Sequence, residues 1–345
     1  MRFVPSAMGV DPATARFGSI RAGYESYYLR VTAPEGGRGF WVRYTVRIAP
    51  GQEPIGSLWF TWFDGEGPVA TKLTSPAIEG DGPCKRPWLT IAGAVIGAGH
   101  AAGAIGPALR RRSAQWDLDF SGDALLAHLD RGWMYAAPLP RTKPVSLHPM
   151  ARFTGTVTVD GTEHGVDRWP GMVGHNWGSQ HAQRWIWLHG MAFDSLGDDS
   201  WIDVVLGRIK LGPVLLPWVA SGAISIEGQR LALGGLGRTR AVDVRERPTG
   251  ARLTLPGPRG TSVRVNVGAE RARFVGWTYC DPHGHSHEVA NCSIADIAVT
   301  LRRPKQADLT LRASGTAAYE LGMQEQNHGI PIQPFPDGPA LPVRP

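Results

Sequence analysis

The residues best equipped for chemistry lie in one stretch, Gly171–Asp194, and in the strand after it. The stretch holds His175, His181 and His189 with Trp177, Trp185 and Trp187, and Asn176 sits between the first histidine and the first tryptophan. His175 and Trp177 are two residues apart, so in extended backbone their side chains share a face, and the same holds for Trp201 and Asp203. Asp203 is flanked by Trp201, Ile202, Val204 and Val205. A carboxyl group removed from water keeps its proton nearer neutral pH and can act as a general acid. His175 can orient that acid or take a proton from water, with His181 or His189 as its second. The faces of Trp177, Trp185, Trp187 and Trp201 attract positive charge and can face a cation. Plain packing competes with each role. A lone aspartate in an apolar strand more often caps a turn or bonds an arginine, and His181 and His189 suit hydrogen-bonded structural places. Tryptophans fill cores in any arrangement, and Asn176 suits a turn between Gly174 and Gly178.

The elements that must position these groups are strands. From Trp185, residues 185, 187, 189, 191 and 193 alternate with Ile186, Leu188, Gly190 and Ala192, and both faces are largely apolar, so this strand is expected to be covered on both sides. Before it, strands are expected at 24–32, 40–48, 55–63, 69–74 and 113–121, and 152–159 and 162–169 flank Asp160-Gly161, a strong hairpin signal. In 40–48, Phe40, Val42, Tyr44, Val46 and Ile48 alternate with Trp41, Arg43, Thr45 and Arg47, which reads as one core face and one wet face. The segment 123–130 is open between helix and strand. After it, strands are expected at 185–194, 201–210, 214–226, 230–233, 240–246, 251–255, 262–267, 272–280, 288–301 and 309–319.

With 44 glycines, 28 prolines and almost no amphipathic helix, the chain points to an all-β protein of barrels or sandwiches. Its 345 residues favour two domains, 1–183 and 184–322, with a proline-rich tail, 323–345. The N-terminus lacks a signal-peptide core, and the uncharged run 88–109 is too glycine-rich for a membrane span. A net charge of +6, dispersed and mostly arginine, argues against a nucleic-acid partner and leaves a solvated basic face open to peripheral contact with membrane lipid. Cys84, Cys280 and Cys292 lack metal-type spacing and are expected to be free thiols in a reducing, cytoplasmic compartment.

At Gly174-His175-Asn176-Trp177-Gly178 and Arg184-Trp185-Ile186-Trp187 the chain resembles the bacterial carotenoid 1,2-hydratase and AttH-like group, and more distantly the tocopherol cyclases. The resemblance implies two tandem lipocalin-like antiparallel β-barrels. It also implies a His-X-Trp pair and a Tyr-X-Asp pair associated with activity. His175-Asn176-Trp177 matches the first, and Trp201-Ile202-Asp203 matches the second with Trp in place of Tyr, which loses a hydroxyl able to pass a proton. The implied function is a cofactor-independent hydratase or cyclase that protonates an alkene of a hydrophobic isoprenoid-like or polyketide-like molecule. Asp203 is then the acid, His175 its partner, and the tryptophans, His181, His189 and Asn176 bind substrate.

Other classes compete. Without the acid, the same pocket makes a non-catalytic lipid or terpenoid carrier, and exposed tryptophans alone would suit a carbohydrate-recognition module. Trp59, Trp62, Asp64 and Glu25 are second-rank candidates for a shared cavity. His283, His285 and His287 alternate as metal ligands can, but the segment starts in a turn with no obvious carboxylate set nearby, and no metal is expected.

Overall fold

The computed structural model describes residues 11–19, 21–80, 88–107, 112–122, 125–194, 200–211 and 213–335. The fold is all-β, as expected: two antiparallel sheets, the first a nearly closed barrel. The first sheet contains β1 (Gly23–Thr32), β2 (Gly39–Ile48), β3 (Ile55–Phe63), β4 (Val69–Ser75), β5 (Ile78–Glu79) and β6 (Leu89–Ile91). It continues through β7 (Ala94–Gly97), β8 (His100–Ile105), β9 (Ala114–Gly122), β10 (Leu126–Ala127), β11 (Thr142–Val159) and β12 (Thr162–Gly178). Its order is β4-β3-β2-β1-β12-β11-β9-β8-β7-β6-β5, with β10 on β11. The β11–β12 hairpin turns at Asp160-Gly161, both with positive φ, as a tight hairpin turn requires.

The second sheet begins with β13 (Arg184–Met191) and β14 (Trp201–Arg208); β15 (Lys210–Leu211) and β16 (Val214–Leu215) form a small separate ribbon. Then come β17 (Val219–Ile226), β18 (Gln229–Gly234), β19 (Asp243–Arg247), β20 (Gly250–Pro256), β21 (Ser262–Gly268), β22 (Val275–Cys280), β23 (Ser286–Arg302) and β24 (Leu309–Met323). The order is β18-β17-β14-β13-β24-β23-β21-β20-β19, with β22 on β23. The strand expected over 214–226 is interrupted where Pro217 has no N–H to give. Those expected from 240 and 272 start later, behind the 3-10 turns Leu236–Ala241 and Arg271–Arg273. From β24 to Phe335 the chain lies against the second sheet: Ile332 bridges Gly276, and Phe335 packs on Trp277. Cys280 and Cys292 are not joined to each other by a disulfide, and Cys84 lies outside the described residues. Among the described residues no helix is long and apolar enough to cross a membrane.

Each sheet buries its own interior. Leu29, Val42, Phe60, Trp116, Phe153 and Val173 fill the first, and Ile186, Leu188, Ile202, Val204, Leu253 and Val265 the second. The outer faces then pack on each other along a seam, with β1, β2 and β3 against β23, and β10 and β11 against β17 and β14. This corrects one expectation. The Trp41, Arg43, Thr45 and Arg47 face of β2 is not wet but buried, because the second sheet covers it. Arg43 stays inside by lying over Tyr279, 4.1 Å from its centroid, and donating Nε–H to Ser26 Oγ at 2.5 Å.

Candidate functional site

The period of two in β13 puts Trp185, Trp187, His189 and Met191 on the seam face, and the β13–β14 register brings Trp201, Asp203 and Val205 beside them. The strand is covered on both sides, as its sequence requires. Gly322, the ladder partner of Trp185, leaves room for the indole; a Cβ there would collide with it.

Asp203 is fully buried and all of its hydrogen bonds converge from the seam. Trp187 Nε1–H donates to Oδ1 at 3.2 Å, and the Ser146 hydroxyl of β11 donates to Oδ2. His128, between β10 and the 3-10 turn Gly132–Tyr135, places Nε2 at 3.0 Å from Ser146 Oγ and 3.6 Å from Asp203 Oδ2. Its Nδ1 lies 3.3 Å from the Ser221 carbonyl oxygen. With the serine hydrogen given to Asp203, both ring nitrogens of His128 face acceptors, the Ser146 oxygen and the Ser221 carbonyl. Burial pushes the Asp203 carboxyl up, but His128, His189 and the Ser146 hydrogen bond outweigh it and hold the group below the ordinary aspartate range. The expectation of an isolated carboxyl with a raised pKa is therefore corrected. Asp203 is the ionised end of a His128–Ser146–Asp203 relay.

His175 is elsewhere. It points into the first barrel, stacked 4.0 Å from Tyr27 and 4.8 Å from Trp177. Its Nε2–H donates to Glu25 Oε1 at 2.8 Å and its Nδ1–H to the Pro12 carbonyl at 2.6 Å. Val145, its ladder partner, shares that interior, while the next residue, Ser146, faces the seam. The expected convergence of His175 and Asp203 does not occur, because they lie on opposite faces of the first sheet. Trp177 stays inside with His175, and Asn176 turns toward the seam side, half-buried, in the ladder position opposite Ser26.

His189 is buried on the seam. Arg30 Nη1 donates to its Nδ1 at 3.2 Å, so Nε2 carries the hydrogen and donates to the Pro149 carbonyl at 2.8 Å. Burial lowers its pKa to about 4. Arg30 is also buried and donates to the Ser293 and Thr316 carbonyls; burial lowers its pKa to about 9. His181, in the connection between β12 and β13, is stacked between Tyr24 at 4.1 Å and Trp185 at 5.2 Å. Trp185 Nε1 donates to Glu320 at 2.9 Å, and Asn291 and Tyr279 donate to the other carboxylate oxygen at 3.0 and 3.3 Å.

Some aromatic faces are taken by protein cations: Arg16 lies 4.8 Å from the Trp177 centroid, Arg230 lies 5.1 Å from that of Trp201, and Lys72 Nζ is 3.6 Å from that of Trp59. Of the second-rank residues, Trp59 is on the seam. Trp62 donates to Asp64 at 2.9 Å on the barrel interior side, and Glu25 is the partner of His175. His128 and Ser146 were missed from sequence. His128 falls in the segment left open, and Ser146 lies between Pro144 and Pro149 in a part of β11 that carries no clean strand signal.

No family model matches the chain. Two uncharacterized proteins of Mycobacterium tuberculosis, from strains CDC 1551 / Oshkosh and ATCC 25618 / H37Rv, are 28% identical over 305 residues, covering 84% of this chain and 84% of theirs. Among solved structures, CghA with Sch210972 superposes with a TM-score of 0.55 at 14% identity, over 88% of each chain. A putative AttH from Nitrosomonas europaea superposes with a TM-score of 0.50 at 13% identity, over 90% of this chain and 94% of that one. Shared over nearly whole chains, this arrangement of two antiparallel β-sheets identifies the chain as AttH-like in fold.

Proposed function

We propose that the chain is a cofactor-independent hydratase or cyclase acting on a hydrophobic isoprenoid-like or polyketide-like small molecule. The observation that carries this reading is the buried His128–Ser146–Asp203 relay, which holds a proton among three side chains away from water, beside Trp187. The AttH-like fold is in keeping with it.

In the reaction, an alkene carbon takes the His128 Nε2 proton. The π bond becomes a C–H bond, the neighbouring carbon becomes a carbocation, and the neutral imidazole remains beside the Asp203 carboxylate. Water adds to the cation and returns a proton to the relay, which restores it. An internal π bond or hydroxyl in place of water gives a ring. Because Asp203 is ionised, its part is to hold and recharge His128, and Asp203 is a positioning residue rather than the donor. His175, bonded to Glu25 inside the first barrel, is proposed as a binding or structural group.

A non-catalytic carrier is the second reading, favoured by Trp201, which has no hydroxyl and whose ring lies under Arg230. The two separate on incubating the protein with linear polyprenoid and polyene compounds in 18O-labelled water and analysing the products by mass spectrometry. The enzyme reading expects labelled hydrate or an isomeric ring product from wild type, and at least a hundredfold less from His128→Gln. Ligand bound and returned unchanged by wild type would establish the carrier, and full turnover by both His128→Gln and Asp203→Asn would remove the relay from the chemistry.

A further inference from the structure

We propose that His181, Asp281 and His287 form a binding site for one divalent transition-metal ion of the zinc class. The proposal is independent of the hydratase or cyclase reading. His181 comes from the β12–β13 connection, and Asp281 and His287 from the two ends of the β22–β23 turn, so the set joins parts of the chain a hundred residues apart. One ligating atom from each lies within 4.8 Å of the others. His181 Nδ1 is 2.6 Å from Asp281 Oδ1, and His287 Nδ1 is 3.9 Å from Asp281 Oδ2.

What points to a ligand is the set of atoms left over. Asp281 and His287 are both fully buried, yet Asp281 Oδ2 has no hydrogen-bond partner, and the His287 ring, though close enough to the Ala182 backbone to feel it, makes no well-formed hydrogen bond. Buried polar atoms of this kind are rarely left poorly satisfied, and a cluster of them calls for an unaccounted partner. A proton fills only the His181–Asp281 gap. Two imidazoles and one carboxylate are a common donor set for zinc-class ions, with a fourth position left for water.

The geometry needs little movement. Metal–ligand bonds of about 2.1 Å at tetrahedral angles put donor atoms about 3.4 Å apart. The 2.6 Å pair must open and the wider pairs close, by on the order of 1 Å. The metal replaces the proton between His181 and Asp281, so binding releases a proton and weakens in acid. The carboxylate missing from the sequence reading of His283, His285 and His287 is Asp281, and only His287 of those three histidines belongs to the set. His283 and His285 are exposed on the turn.

The test is titration of the metal-stripped full chain with Co2+, followed by its visible ligand-field absorption, with competition by Zn2+. Expected are one equivalent of Co2+ per chain, displaced by Zn2+, its binding weakened at least a hundredfold by Asp281→Asn and by His287→Gln and unchanged in a His283→Asn, His285→Asn double variant. X-ray absorption of the wild-type zinc form, which does not depend on any variant folding, is expected to show two imidazoles in the first shell. The proposal fails if wild type shows no saturable binding, if the double variant loses it, if both buried-site variants keep it, or if imidazole scattering is absent.

Discussion

Trp187 donates its indole N–H to Oδ1 of Asp203 at 3.2 Å, although the ladder partner of Trp187 is Val205 and that of Asp203 is His189. The bond runs diagonally across the β13–β14 pair, on the one face where both side chains meet the first sheet. It uses one carboxylate oxygen and leaves the other for Ser146, so the orientation of Asp203 is set from both sheets at once.

Trp187→Phe removes that donor along with the five-membered ring of the buried indole, whose lost volume adds to the cost. The buried Oδ1 then lacks its partner, at a cost of about 1–3 kcal/mol in urea unfolding. Because the lost hydrogen bond favoured the ionised carboxyl, the acid unfolding midpoint is expected at higher pH than in wild type. An unchanged midpoint would mean that the indole does not hold Asp203 in its charged form.

His189 supplies a second pH dependence, of defined sign. Its folded pKa, about 4, lies below the ordinary value of 6.5, so the unfolded chain binds the proton first as pH falls. Its contribution is intact above pH 6.5 and is lost progressively down to about pH 4, for a total of about 3 kcal/mol. His189→Gln can accept from Arg30 and donate to Pro149 without titrating. Urea unfolding at a series of pH values is expected to show a shallower slope in this variant between pH 6.5 and 4. Equal slopes would exclude His189 as the source.

Glu25 gathers the segment before β1. It accepts the backbone N–H of Arg16 at 2.8 Å and that of Phe17 at 2.9 Å, as well as the His175 ring, while Tyr27 donates to the Ala13 carbonyl at 2.9 Å. Glu25→Leu leaves three donors without their acceptor, so residues 11–17 are expected to be cleaved faster in limited proteolysis while the second sheet stays protected. His175→Ala should show the same effect to a smaller degree. Wild-type cleavage rates in both would show that this pair does not anchor the segment.

Much of the fold is legible from local pattern. Alternation in β1–β3, the Asp160-Gly161 turn and the double-sided apolar pattern of β13 each follow from side chains pointing to opposite faces of extended backbone. The chemistry-bearing residues crowded between 171 and 203 divide: Trp187, His189 and Asp203 lie on the seam, whereas His175 and Trp177 point into the first barrel. Boundaries moved where Pro217 or a short 3-10 turn intervened, but also elsewhere: β13 stops at Met191 and β14 at Arg208, and β11, β12 and β24 run well beyond their local signal.

By itself, then, the sequence determined that the protein is built of β-strands, and which residues share a face within each strand. Only the tertiary structure decided what covers each face. It placed His175 inside a barrel against Glu25 and Asp203 outside one against His128 and Ser146, and it made the charged face of β2 an interior surface. The reason is physical: a period of two assigns a side chain to one side of its own sheet, whereas burial, ionisation and hydrogen-bond partners come from another sheet, contributed by residues far away along the chain.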